Sequence, residues 1–135
     1  MLRYMLDTNI AIYVIKQRPL QALHLFNERA PMLCTSAITE AELLHGAEKS
    51  QQREHNLRQV DDFLSRLDVL PYTRKAAGHY GDIRADLERK GTPIGVNDLH
   101  IAAHARSEGL ILVTNNMREF ERVAGLRLEN WVGPA

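Results

Sequence analysis

Asp7, Glu42, Asp98, Asn115, Asn116 and Glu119 carry side-chain oxygens, and each stands just past an apolar run or near the start of a helical pattern. Asp7 ends "RYMLD", Glu42 lies in "TEAELLHG", Asp98 opens "DLHIAAHA", and the two asparagines close "LILVTNN" with Glu119 one turn further on. Gathered in one crevice, these groups form a set of hard oxygen donors suited to Mg²⁺ or Mn²⁺. Without a counter-ion the same set is unfavourable, because neighbouring carboxylates repel and raise one another's pKa. The chemistry implied is the holding of a divalent cation.

Each residue also has a purely structural reading. Asp7 suits the N-cap of the helix that follows it. Thr39 and Glu42 have the spacing of a capping box, and Asp98 at a helix start is favoured by the helix dipole. Asn115-Asn116 has the composition of a turn. The structural reading needs a separate reason for each residue, whereas one cation site accounts for all of them.

Other chemistries lack their residues. The aspartyl-phosphate pattern needs a second Asp two positions after Asp7, and Asn9 stands there. No G-x-x-x-x-G-K loop is present, and no G-x-G-x-x-G follows the first apolar run. His100 and His104 are spaced like zinc ligands, but Ile101 replaces the glutamate of H-E-x-x-H, so they read as core-edge or surface histidines. His79, in "GHYG", has no evident partner.

The elements that must position the acids alternate. Residues 2–6 read as a strand and 8–15 as a helix; Pro19 opens a second helix, and 32–35 form a second strand. A helix over 39–49 follows, then an amphipathic one carrying Leu57, Val60, Phe63, Leu64 and Leu67. Residues 68–72 make a brief strand; Ala76, Tyr80, Ile83 and Leu87 define a helix that Gly91 stops. Asn97 is placed to cap a helix over 98–109. The continuous apolar stretch 110–114 reads as a buried parallel strand. A short helix and an edge strand within 126–131 complete the pattern. The alternation predicts an α/β fold, a parallel sheet of four to five strands flanked by helices, with ligands beyond the strands' carboxyl ends.

Composition sets the outer bounds. The chain's 135 residues suit one domain with a sizeable core. Seventeen basic residues balance seventeen acidic ones, which argues against a generic polyanion binder while allowing a local basic rim. Cys34 is the only cysteine, so an internal disulfide and a thiolate zinc site are excluded, and its apolar neighbours predict an inert buried thiol. With no membrane-length apolar run and no secretory pattern at the N-terminus, the expectation is a cytoplasmic protein with no membrane contact.

Four stretches, "MLDTNI", "TEAELLHG", "NDLHIAAHA" and "LVTNNMREFERVAGLRLENW", together resemble a PIN domain, and specifically the VapC toxins of VapBC toxin–antitoxin pairs. The resemblance runs through the whole chain and implies one PIN domain over residues 1–135. It implies a metal-dependent endoribonuclease toxin, dimeric, held inactive by a small VapB-type antitoxin. Asp7, Glu42 and Asp98 fall on the family's acidic metal positions. The departure is Asn116, where many PIN domains carry a fourth Asp; Asn116 offers a neutral oxygen and Glu119 a charge, leaving one or two ions open.

The implied reaction is in-line attack of water on a phosphodiester of cellular RNA, tRNA being one candidate, with Mg²⁺ or a substituting Mn²⁺. It leaves a 5′-phosphate and a 3′-hydroxyl. Thr8 or Thr114 could orient water or phosphate, or serve as caps. Arg84, Arg89 and Lys90 could contact RNA, or form a solvated helix face. The antitoxin is expected to bring a basic side chain to the acids and to lie along helices bearing Ile10, Ile12, Tyr13 and Val14 and the "AELLHG" segment. Two alternatives stand beside this: an RNA-processing PIN nuclease without a toxin role, and a non-catalytic binding module.

Overall fold

The structure, a computed structural model, describes residues 1–133; the last two residues of the expected 1–135 domain lie outside the described residues. Strand β1 (Tyr4–Leu6) leads to helices α1 (Thr8–Lys16) and α2 (Leu20–Arg29), and a 3₁₀ turn at Ala30–Met32 enters β2 (Leu33–Ser36). Helices α3 (Ala37–Glu48) and α4 (Arg53–Leu64) precede β3 (Asp68–Leu70). Then come α5 (Arg74–Arg89), α6 (Val96–Ser107), β4 (Ile111–Val113), α7 (Met117–Phe120) and β5 (Leu128–Glu129).

The five strands pair in parallel in the order β3-β2-β1-β4-β5. Their period-2 alternation divides the core between the two faces of the sheet. Tyr4, Leu6, Leu33 and Val113 pack with Ala11 of α1, Phe26 of α2, Leu43 of α3 and Phe63 of α4. Met5, Cys34 and Leu112 face the other way, onto Ile83 of α5, Ala102 of α6 and Phe120 of α7. Cys34 is buried and its thiol pushed up to about 12, chiefly by that burial, which fits an inert core residue.

The strand order reverses between β1 and β4, since the chain steps from β1 out to β3 and then returns to β1's other side. That is the switch point at which open parallel sheets leave a crevice. Asp7 follows β1 and the Asn115–Asn116 pair follows β4, so the two flank it.

Local chemistry explains most boundaries, and two expectations are corrected. Asp7 caps α1 by accepting from the Ile10 amide at 2.9 Å. Gly91 ends the α5 region at φ 69°, a left-handed conformation that glycine adopts without strain. The cap of α3 is Ser36, which accepts from Ile38, so Thr39 lies inside the helix and Thr39–Glu42 is not a capping box. The cap of α6 is Gly95, not Asn97, which sits within the first turn with its side chain free for other use. Among the described residues no helix is long and apolar enough to cross a membrane.

Candidate functional site

The site forms where both helical layers meet the carboxyl ends of β1 and β4. Asp7 enters from the tip of β1, Glu42 from α3 on one face of the sheet, Asp98 from the first turn of α6 on the other. Asp7 is only 3% exposed and its carboxyl is raised to about 6. Burial is the main cause; the charge of Glu42 adds to it, while the Thr114 hydroxyl and the Ile10 amide oppose it. Asp98, half-buried, is likewise raised to about 6, by burial first and then by the charges of Glu119 and Asp7, with Glu42 a smaller contributor. The four acids therefore feel one another although they come from four separate segments.

No Lys, Arg or His forms an ion pair with Asp7, Glu42, Asp98 or Glu119 among the described residues. A partly buried, all-oxygen, uncompensated set of this kind fits a hard divalent cation. The side chains are not gathered as a finished cage: among the described residues no three His, Cys, Asp or Glu groups converge as ligands. The reason is visible in their partners. Glu42 Oε1 accepts from the Thr8 hydroxyl at 2.5 Å and Oε2 from the Asn97 amide at 3.1 Å. Glu119 Oε2 accepts from Asn116 at 2.9 Å. Like charges spread apart, and neutral donors take up their oxygens.

The remaining expected residues divide. Thr114 accepts from the Asn116 amide N–H at 2.9 Å, forming the turn after β4, and its hydroxyl lies against Asp7. Asn115 instead donates to the Tyr13 hydroxyl on α1. Arg84 pairs with Glu88, and Arg89 and Lys90 with Asp86, all along α5, as a solvated helix face does. His100 is half-buried, stacked on Tyr80 and bonded to Tyr72. His104 is fully buried and joins Ser36 at 2.7 Å, so it is a core residue, not a surface one. Among the residues touching the acids, Asn97 is the one sequence reasoning assigned elsewhere; no local pattern marks a contact spanning 55 positions.

Beside the acids runs an open groove of about 620 Å³ between α1, α3 and α4, floored by Ile12, Ile15, Leu43, Ala47 and Val60, with Glu42 on its wall. Ile12 belongs to it, but Ile10 and Val14, expected on the same wall, are buried in the core. Only one side of α1 faces the groove, because its other side must cover the sheet.

The chain belongs to the PIN-domain family, whose sequence pattern matches residues 4–126. Within it the chain is of the VapC kind. It is 63% identical over 132 residues to Ribonuclease VapC2 of Haemophilus influenzae, covering 98% of this chain and 100% of that relative. It is 55% identical over 131 residues to the tRNA(fMet)-specific endonuclease VapC of Shigella flexneri, covering 97% and 99%. Its fold is similar to that in the crystal structure of DNA-bound VapBC from Salmonella typhimurium, with TM-score 0.94 at 53% identity over 97% of this chain and 99% of that one.

Proposed function

We propose that the chain is an endoribonuclease toxin that hydrolyses tRNA with a divalent cation, Mg²⁺ or its substitute Mn²⁺, and is restrained by a VapB-type antitoxin. The observation carrying this reading is the burial of Asp7 beside Asp98 at the sheet's switch point, both raised to about 6 with no cationic partner among the described residues. Uncompensated carboxylates lower stability unless a ligand offsets them, and a bound cation would supply that offset here.

Asp7, Glu42 and Asp98 would hold the ion, with Asn116 and Glu119 at its far side. When bound, a divalent cation polarises a phosphodiester and makes its water more acidic. Asp98, half-buried, would orient the attacking water beside the ion. Asp7, almost without access, supplies fixed negative charge. The groove beside Glu42 offers an apolar floor for an antitoxin segment whose basic side chain would reach the acids. A toxin that cuts cellular RNA would act in the cytoplasm, and we infer a homodimer from the family resemblance.

The test is cleavage of purified tRNA by metal-stripped protein with and without added Mg²⁺ or Mn²⁺, followed by sequencing of the ends. Metal-dependent products with 5′-phosphate and 3′-hydroxyl ends, absent with Asp7→Asn, are expected. Cleavage that persists in EDTA overturns the reading.

A further inference from the structure

We propose that Asn97 is a positioning residue for the cation site, acting with Thr8 to hold the carboxylate of Glu42 in place. This rests on the reading of Glu42 as a ligand. Glu42 comes from α3, Thr8 from the first turn of α1 and Asn97 from the first turn of α6, so three elements meet on one carboxylate. One donor takes Oε1 and the other Oε2. A carboxylate oxygen accepts about two hydrogen bonds, so each keeps a lone pair free for an ion. The Thr39 hydroxyl lies 3.2 Å from that of Thr8. Thr8 has one proton, and at 2.5 Å it goes to Glu42, leaving Thr39 to donate to Thr8 in a continuing chain.

The need for such a clamp follows from charge. Glu42 is pushed away from Asp7 and Asp98, both of which feel its charge. A lysine or arginine could hold it, but would neutralise it and compete with the cation. The amide of Asn97 holds Glu42 without cancelling its charge. Asn97 has no competing structural duty, since Gly95 caps α6 and the Asn97 side chain is exposed apart from this bond. Its neighbour Asp98 places a ligand and the support of a second ligand on consecutive residues.

Donors behind a metal-binding carboxylate typically account for about 10- to 100-fold in metal affinity. Calorimetric titration of Mn²⁺ into the metal-stripped full chain is therefore expected to show about tenfold weaker binding for Asn97→Ala, with an unchanged melting temperature, and a similar loss for Thr8→Val. Cleavage of tRNA by Asn97→Ala should return toward wild type as Mn²⁺ is raised, which a residue contacting RNA or merely supporting the fold does not predict. Wild-type Mn²⁺ affinity in Asn97→Ala, alongside lost affinity in Glu42→Gln, overturns the positioning role while leaving the site intact. Wild-type affinity in Glu42→Gln removes Glu42 from the site, and the role of Asn97 with it.

Discussion

The Asn116 side-chain amide donates to Glu119 Oε2 at 2.9 Å, and the charge of Glu119 in turn helps raise Asp98. A neutral residue at the position where many PIN domains carry an acid is thus tied to an acid one turn away. Asn116→Asp replaces that donor with a charge. It is expected to tighten Mn²⁺ binding by titration calorimetry, and to lose the gain when combined with Asp7→Asn. No change in affinity would mean that position 116 lies outside the ion's reach.

Glu119→Gln separates charge from shape at the same place. Removing the charge should let Asp98 titrate at lower pH, because Glu119 is the largest contributor to its raised value after burial. NMR titration of Asp98 in the metal-free protein should show the shift to lower pH. If Asp98 titrates as before, Glu119 does not act on it.

Asp7→Asn tests the centre of the site. Asparagine retains the N-cap on the Ile10 amide, and loss of a buried unpaired charge should raise the melting temperature of the metal-free protein. Cleavage should fall by at least about 100-fold, corresponding to several kcal/mol of lost transition-state stabilisation. Full activity in this variant would dismiss the metal-nuclease reading.

Glu42→Gln distinguishes two roles that the sequence alone leaves open. Because Ser36 caps α3, Glu42 owes nothing to helix capping, and the variant should melt near the wild-type temperature. Divalent-dependent cleavage should be mostly lost. A destabilised but fully active variant would restore the structural role.

The two raised aspartates also set the pH dependence of stability. Folded, Asp7 and Asp98 bind protons up to about pH 6, against an ordinary value of 3.8. Their contribution is fully present below the unfolded value and is lost as pH rises through about 6. Relative to the Asp7→Asn, Asp98→Asn double variant, the metal-free chain should therefore lose melting temperature between about pH 4 and pH 6. Added Mn²⁺ should restore it and release protons, readable as a buffer-dependent heat. A wild-type melting temperature that holds level with the double variant, or rises against it, over this range would contradict the assignment.

The groove can be tested at Gly46, which lies on its wall with open space where a side chain would project. Gly46→Leu should fill it while stabilising α3 by about 0.5–1 kcal/mol, since glycine is the poorer helix former. Cognate antitoxin should bind more weakly, with cleavage retained. Unaltered antitoxin affinity would move the docking surface elsewhere.

The α/β pattern, the parallel sheet and most helix positions were legible along the chain, because apolar alternation, glycine stops and caps are local effects. Asp7 was readable for the same reason, standing at the end of a strand whose hydrophobicity announces it. Glu42 was ambiguous, because a Thr-x-x-Glu spacing looks alike whether the helix starts at Thr39 or three residues earlier. The cap at Ser36, whose hydroxyl accepts from the Ile38 amide, starts α3 there and leaves Glu42 for the crevice. Asn97 looked like a cap, because an asparagine before a helical pattern is usually one; the chain turned at Gly95 instead and left its amide facing α3. The sequence by itself determined which residues carry the acids and which segments present them. The tertiary structure alone decided that Thr8 and Asn97 share Glu42, 34 and 55 positions away, and that Ile12 faces a groove while Ile10 faces the core. Such pairings depend on strand order and on how two helical layers close over the sheet, and neither leaves a mark in local composition.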